Sequence, residues 1–286
     1  MAPTQFDPAQ FKTHQRTFWD TTSPAWETWD NEFERGAASV TAWMLDVAGV
    51  RPGQRVLDVA TGHGEPALSA LRAVGPTGRV VGVDISPAML EVARQRAKEL
   101  DNIEFVEGDV ESLGLEPDSF DVVLSRFGLM FVVDHAAAFR ELASVLAPGG
   151  VLAISVWGPP SEHLLSIGPM ALFQRLELPP PPPDQPGPFS MSDPRQLTEE
   201  LTAAGFTDVS AVERVLPFRF RSVDDYVQFN KDFLPPEMLR TVAERFGSRD
   251  APEAWDTVAQ AAEKHVDDEG GVPLPSTALC VRAALP

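Results

Sequence analysis

The sequence predicts a doubly wound α/β fold with a helical flap ahead of the sheet and a helical cap inserted after its fifth strand. Three observations predict it. Five short apolar runs occupy residues 55–60, 79–84, 103–107, 120–125 and 151–157, and helical stretches separate them over 65–74, 87–100 and 134–146. The runs are apolar almost throughout, which suits strands buried on both faces rather than half-exposed ones. Their alternation with amphipathic helices means βαβ units and a parallel sheet. A glycine-bearing loop, ATGHGEPA at 60–67, follows the first run, at the sheet edge where such folds bind ligands.

Residues 1–50 read as helical. Phe11, Phe18, Trp19, Trp26, Trp29, Trp43 and Met44 recur at spacings near three, four and seven. Two readings of this stripe stay open: a cover over an acceptor, or packing of an amphipathic helix on the core. Residues 159–188 interrupt the α/β rhythm. They hold a helix candidate at 162–176 and then LPPPPPDQPGP, whose consecutive prolines suit neither a helix interior nor a central strand. This stretch reads as a stiff extended connector. The rhythm resumes with a helix at 193–204 closed by Gly205, a strand at 208–220, helices over 222–265 and a last strand at 277–285. The expected division is a cover at 1–50, a ligand-binding core at 51–158, a lid with its proline linker at 159–192, and the remainder of the core at 193–286, with a helical insertion at 222–268. Residues 1–35 and 159–190 are expected to order over bound ligands, the alternative being a static cap whose apolar residues extend the core.

Composition narrows the partners. The 286 residues carry 23 Lys and Arg against 42 Asp and Glu, a net charge of −19. Such a chain repels phosphate backbones and anionic lipid, so nucleic acid is not an expected partner. The single cysteine, Cys280, excludes an intramolecular disulfide and an all-cysteine metal site, and its apolar surroundings suit an inert core thiol. No apolar stretch has the length of a membrane span, and the N-terminus lacks the apolar centre of a secretory signal. A cytoplasmic protein without membrane insertion is expected. The sequence carries no signal of oligomeric state, and no His, Asp and Glu set has metal-ligand spacing.

Three strand candidates end at or near a carboxylate: Asp58, Asp84 and Asp109. Parallel strands bring these ends to one edge, beside the glycine loop. Gly62 and Gly64 let the backbone approach a ligand closely. Residues 62–67 also fit the dinucleotide pattern G-x-G-x-x-A, and Asp84 follows Gly64 by about 20 residues, as an NAD site requires. Asp58 and Asp109 argue against NAD, because carboxylates beside a pyrophosphate are unfavourable. A ring of carboxylates suits a ligand with an amine, ribose hydroxyls and a cationic centre.

The segments VLDVATGHG, VVGVDISPAML, EGDVESL, FDVVLSRFGLMFV and LAPGGVLAIS, in that order, resemble class I S-adenosylmethionine-dependent methyltransferases. Phe127-Gly128-Leu129, Asp134 and Leu146-Ala147-Pro148-Gly149-Gly150 resemble in particular the ubiquinone/menaquinone-biosynthesis C-methyltransferase group and its small-molecule relatives. The resemblance covers residues 50–157. It implies a Rossmann-like seven-stranded sheet with the last strand antiparallel, S-adenosylmethionine as cofactor and a small-molecule acceptor. It also implies roles residue by residue. Asp58, Gly62 and Gly64 match the motif around the methionine portion, with Ala60 where a glycine is usual and His63 in the same loop. Asp84 matches the acid that binds the ribose hydroxyls, and Ile85 and Met89 would pack by the adenine or ribose. Asp109 matches the acid that receives the adenine amine, with the Val110 N–H beside it. Arg126 stands where related quinone-pathway enzymes often carry serine.

The implied reaction is an in-line displacement of the sulfonium methyl group. His63, His135 and His163 are the candidates for a general base, since imidazole titrates near neutral pH. Each also has a structural reading; His135, for one, follows a good helix cap, Asp134. Three rival functions remain at this stage: a non-methylating, cyclase-like enzyme that binds the same cofactor, an NAD-dependent oxidoreductase, and a binding module without turnover.

Overall fold

A computed structural model describes residues 6–160, 163–178 and 185–286. The run of prolines at 179–183, expected as a stiff connector, lies outside the described residues. The chain begins with α1 (Pro8–Val47), a single helix of 40 residues. Asp7 caps it by accepting from Ala9 N and Gln10 N, and Pro8 sits where a missing N–H costs nothing. Five strands and three α-helices follow: β1 (Arg55–Val59), α2 (Ala67–Val74), β2 (Arg79–Asp84), α3 (Pro87–Arg96), β3 (Ile103–Glu107), β4 (Phe120–Arg126), α4 (His135–Val145) and β5 (Leu146–Trp157). Every expected strand of this part is present. α3 and α4 start where short polar side chains cap them: Ser86 accepts from Met89 N at 3.1 Å and Asp134 from Ala137 N at 2.9 Å.

After β5 the chain forms α5 (Ile167–Arg175), α6 (Pro194–Ala203), β6 (Thr207–Leu216), β7 (Arg219–Phe220), α7 (Val223–Phe233), α8 (Pro236–Phe246), α9 (Pro252–Glu263), β8 (Val272–Pro273) and β9 (Ser276–Ala284). The strand expected over 208–220 is therefore two strands. Pro217 has no N–H to give the ladder, so β6 stops before it, and β7 pairs with β8 in a separate two-stranded sheet.

The main sheet has seven strands in the order β3-β2-β1-β4-β5-β9-β6. β9 lies antiparallel to both of its neighbours, and the other pairs are parallel, in agreement with the expected fold. The chain winds outward from β1 to β3, then returns to β4 and winds the other way. Right-handed crossovers then put α2 and α3 on one face and α4 and α6 on the other. Val56, Leu57, Val80, Val122, Val123, Leu124, Leu152 and Ile154 fill the interior with no exposed surface. The reversal leaves a crevice outside the carboxyl ends of β1 and β4.

α1 is not part of the sheet, yet its C-terminal half is core: Ala37, Val40 and Met44 are fully buried. Gly36 lets it cross Phe218, whose ring would stand 2.4 Å from an added Cβ. α5, α7, α8 and α9 pack together as a second helical layer. Within it the Tyr226 hydroxyl accepts from Gly168 N at 2.8 Å and donates to Leu164 O at 2.9 Å, which ties α5 to α7.

Candidate functional site

Two cavities lie at the crevice. The first, about 180 Å³, is lined by the loop after β1, the ends of β2 and β4, the segment after β3, and α1. Ala60, Gly62, His63, Asp84, Ile85, Met89, Asp109, Val110 and Arg126 all line it, so most of the sequence-identified residues come together there. Asp58 and Gly64 are not on this lining. Asp58 is fully buried beneath the loop, where its Oδ2 accepts from Thr61 Oγ1 at 2.6 Å and from Ala67 N at 3.0 Å. It fastens the loop to the start of α2. Burial pushes its pKa up to about 7, against the lowering effect of those bonds and of Arg126. Gly64 has φ +101, and a Cβ there would crowd Leu68 at 3.3 Å and Ala93 at 3.4 Å.

Asp84 ends β2 with both carboxylate oxygens engaged by backbone. Oδ2 accepts from Gly62 N at 2.8 Å and Oδ1 from Ser86 N at 2.9 Å. Burial raises its pKa in spite of these bonds. Each oxygen keeps a second lone pair, so the side chain still has acceptors for a ligand hydroxyl. Asp109, after β3, takes Glu111 N at 3.0 Å on Oδ1 and Lys12 Nζ at 2.7 Å on Oδ2.

The loop has a non-glycine residue, Ala60, at φ 56. Its methyl is accommodated by Gly128 opposite: a Cβ on Gly128 would lie 2.2 Å from the Ala60 Cβ. Gly128→Ala is therefore expected to destabilise the protein by about 1–3 kcal/mol through overpacking. The double variant with Ala60→Gly should recover most of that loss in a thermal melt. A single variant as stable as the parent would refute the packing.

α1 supplies what the sequence reading did not assign. One stripe of the helix is polar and meets the site element by element. Lys12 bridges Asp109 and Glu111, and Arg16 pairs with Glu107. Asp20 Oδ1 accepts from Ser86 Oγ at 2.6 Å and from Ala88 N at 3.2 Å, at the start of α3. Ser23 Oγ lies 3.0 Å from His63 Nε2, Asp30 pairs with Arg96, and Glu34 grips Arg126. These positions recur every three, four or seven residues, so they share one helix face. The adjacent stripe, Gln15, Trp19, Trp26 and Phe33, lines both cavities. The heptad-like spacing of Trp19, Trp26 and Phe33 was the available signal for it.

The second cavity is larger, about 840 Å³, and lies between α1, α5, α7 and the segment 186–189. It is predominantly apolar, with Phe18, Met130, Phe173, Phe189 and Phe233 among its walls. Phe127, at φ 58, stacks on Trp157 with ring centroids 3.8 Å apart and, with Phe131 and the α1 stripe, forms the wall shared by the two cavities.

Of the three histidines singled out, only His63 lines a cavity. Desolvation and the nearby Arg96 depress its pKa to about 4, so it is neutral at pH 7 and a poor proton acceptor. His163 is fully buried between Trp157 and Phe189, and burial lowers it to about 4. His135 sits at the start of α4 with Nδ1 3.0 Å from Glu200, away from both cavities. His14, which the sequence did not signal, is an exposed residue of α1 on the second cavity. Cys280 is buried in β9 with its thiol pushed up to about 12. Among the described residues no group of three or more His, Cys, Asp and Glu could hold a metal ion, and no helix is long and apolar enough to cross a membrane.

The chemistry of the first cavity is that of a site for a polar cation. Five carboxylates, Glu34, Glu65, Asp84, Asp109 and Glu111, face three cations, Lys12, Arg96 and Arg126, each of which is already paired with an acid.

Residues 56–150 match the methyltransferase domain family. The chain is 44% identical over 127 residues to the ubiquinone/menaquinone biosynthesis C-methyltransferase of Pseudomonas putida, an alignment that covers 43% of this chain and 50% of that protein. It thus spans about half the length of the curated relatives it matches. The fold is that of the YcgJ protein from Bacillus subtilis, with a TM-score of 0.56 at 22% identity over 86% of this chain and 97% of the other. It is equally that of the (4+2)-cyclase SpnF, with a TM-score of 0.53 at 22% identity over 87% and 81%.

Proposed function

We propose that this chain, with its methyltransferase domain at residues 56–150, transfers a methyl group from S-adenosylmethionine to a small organic acceptor. The observation that carries the reading is the pair of adjoining cavities at the crevice, one ringed by carboxylates and the other apolar, with a common aromatic wall. The donor set of the first cavity fits the cofactor. Asp84 offers acceptors for ribose hydroxyls and Asp109 one for an exocyclic amine. Ile85, Met89 and Val110 offer apolar contact for a base, and the excess of carboxylates favours a positive centre. The two phosphates of NAD would meet that excess unfavourably, so the oxidoreductase reading loses support.

When bound, the cofactor supplies an activated methyl group and a neutral thioether leaving group. The chain supplies alignment and exclusion of water. Holding the cofactor and the acceptor in line and in contact, where the two cavities adjoin, can contribute about 7–11 kcal/mol. His63 is neutral and Ser23 holds its Nε2, so it serves as a fixed wall of the loop rather than as a proton acceptor. The test is calorimetry with S-adenosylmethionine, S-adenosylhomocysteine and NAD, followed by release of labelled methyl from the cofactor in the presence of apolar small molecules. Binding of the two adenosyl compounds and label transfer with one demethylated cofactor per product are expected. Cofactor binding with product formation but no demethylated cofactor would identify the cyclase-like alternative. Binding of NAD alone would overturn both.

α1 and the segment carrying α5 act in this reading as a cover over both ligands. Hydrogen exchange in residues 8–35 and 163–178 is expected to slow when S-adenosylhomocysteine binds, more than in α4 and α6. Exchange that is already slow and does not change would mean a fixed wall.

A further inference from the structure

The two ends of α1 are held by different forces. Toward its C-terminus Trp29, Ala37, Val40 and Met44 are buried in the core. From Pro8 to Thr21 no residue is buried. Charge holds this stretch to the sheet edge. Lys12 Nζ lies 2.7 Å from Asp109 Oδ2 and 2.7 Å from Glu111 Oε2, and Arg16 pairs with Glu107. The acids are themselves fixed: Asp109 Oδ1 accepts from Glu111 N at 3.0 Å and Glu111 Oε1 from Val133 N at 2.8 Å.

The two ends meet at Asp20-Thr21-Thr22-Ser23-Pro24, five successive residues of poor helix propensity. Pro24 has no N–H, so the Asp20 carbonyl lacks its helical partner, and the proline ring crowds that carbonyl. Thr17, Thr21 and Thr22 turn their hydroxyls back onto the carbonyls four residues earlier, an arrangement that favours bending. Thr22 and Ser23 are already buried, and Ser23 Oγ lies 3.0 Å from His63 Nε2, so the pivot itself is anchored. The charged contacts also lie on the ligand's path. Lys12, Asp109 and Glu111 line the first cavity, and Gln15 and Trp19 line both. The Lys12 bridge crosses the end of the first cavity at which Asp109 offers its acceptor.

We propose, building on the methyl-transfer reading, that residues 8–20 are an arm hinged at 20–24 and latched by Lys12 and Arg16 on Glu107, Asp109 and Glu111, and that unlatching sets the rate at which the adenosyl cofactor enters and leaves. The latch closes an empty and a loaded cavity alike, so it governs rates more than affinity. Its ion pairs are partly exposed, so salt weakens them.

The test has two readouts on the full chain. Hydrogen exchange of the ligand-free protein reads the arm alone. Sodium chloride at about 0.5 M, or the double variant Lys12→Met with Arg16→Met, is expected to speed exchange in residues 8–20 about fivefold and to leave residues 25–47 within about twofold. Stopped-flow kinetics with S-adenosylhomocysteine, which carries no net charge at neutral pH, reads the gate. The double variant should raise the association and dissociation rate constants together, by about fivefold each, and keep Kd within about twofold. Added salt should then change neither rate further. Pro24→Ala supplies the missing hydrogen bond and should slow both rates by about fivefold. The preserved Kd is the control for folding. A rise in dissociation alone would make Lys12 an ordinary cofactor contact and overturn the latch. Rates unchanged in Pro24→Ala would overturn the hinge, as would exchange that rises equally over 25–47. A protein that binds S-adenosylhomocysteine at rates indifferent to salt and to the double variant keeps the methyl-transfer reading and loses this one. A protein whose arm answers to salt but which binds no adenosyl compound keeps the latched arm and loses both the methyl-transfer reading and the gating.

Discussion

Asp84→Ala is expected to weaken binding of S-adenosylmethionine and S-adenosylhomocysteine alike, by about tenfold or more. Hydrogen bonds to a charged group contribute about 1.5–3 kcal/mol, and the ribose they would engage is common to both compounds. The substitution also frees Gly62 N and Ser86 N, the two backbone donors that Asp84 now holds at 2.8 and 2.9 Å. The loop then loses its tie to β2 at Gly62 and keeps the bond from Thr61 N to Val83 O. Asp84→Asn should fall between, since the amide keeps one acceptor for the loop and loses the charge. Calorimetry on variants with a parental circular-dichroism spectrum decides the matter. Unchanged affinity for both compounds would remove Asp84 from the binding site, and a loss confined to S-adenosylmethionine would assign it to the sulfonium rather than to the ribose.

Glu34→Gln is expected to cost about 3 kcal/mol of stability, at the low end of the range for breaking a buried ion pair. The Arg126 side chain is 4% exposed and its guanidinium donates to both carboxylate oxygens of Glu34, which is 29% exposed. Desolvation alone would lower the pKa of Arg126, and Glu34 more than offsets it. Without that charge the cation keeps Thr41 Oγ1 at 2.8 Å, the Phe33 ring at 5.8 Å and the weaker fields of Glu65 and Asp58, but no carboxylate in direct contact. A fall in melting temperature of about 6–12 °C corresponds to such a loss. Combining the change with Arg126→Met should restore most of it, because removing both partners leaves no stranded charge. A melting point within about 2 °C of the parent for the single variant would mean that solvent reaches the guanidinium.

The frame of this molecule was legible because burial on both faces leaves a plain mark, continuous apolar strands such as VVLS and VLAISVW. Asp84 and Asp109 were legible for a related reason: one ends β2 and the other lies two residues past β3, and the ends of parallel strands share an edge. Asp58 differs in its placement. It is the penultimate residue of β1 rather than the last, and the chain turns back over it, so Thr61 and Ala67 occupy Oδ2 while Oδ1 stays buried without a partner among the described residues. The end of β6 hid in a run of β-formers because the deciding residue, Pro217, matters only through a hydrogen bond it does not make. The role of α1 was the least legible part. Its aromatic spacing announces a buried stripe but not which surface buries it. Its polar stripe looks like an ordinary solvated face until Lys12, Asp20, Ser23 and Glu34 meet partners far along the chain.

Ala60 and Gly128 are coupled rather than independent positions. With a methyl at 60, a methyl at 128 would put two Cβ atoms 2.2 Å apart. With glycine at 60 that clash is gone. The glycine at 128 therefore has a packing reason separate from any contact with a ligand, and the effect of either position on stability is readable only beside the other.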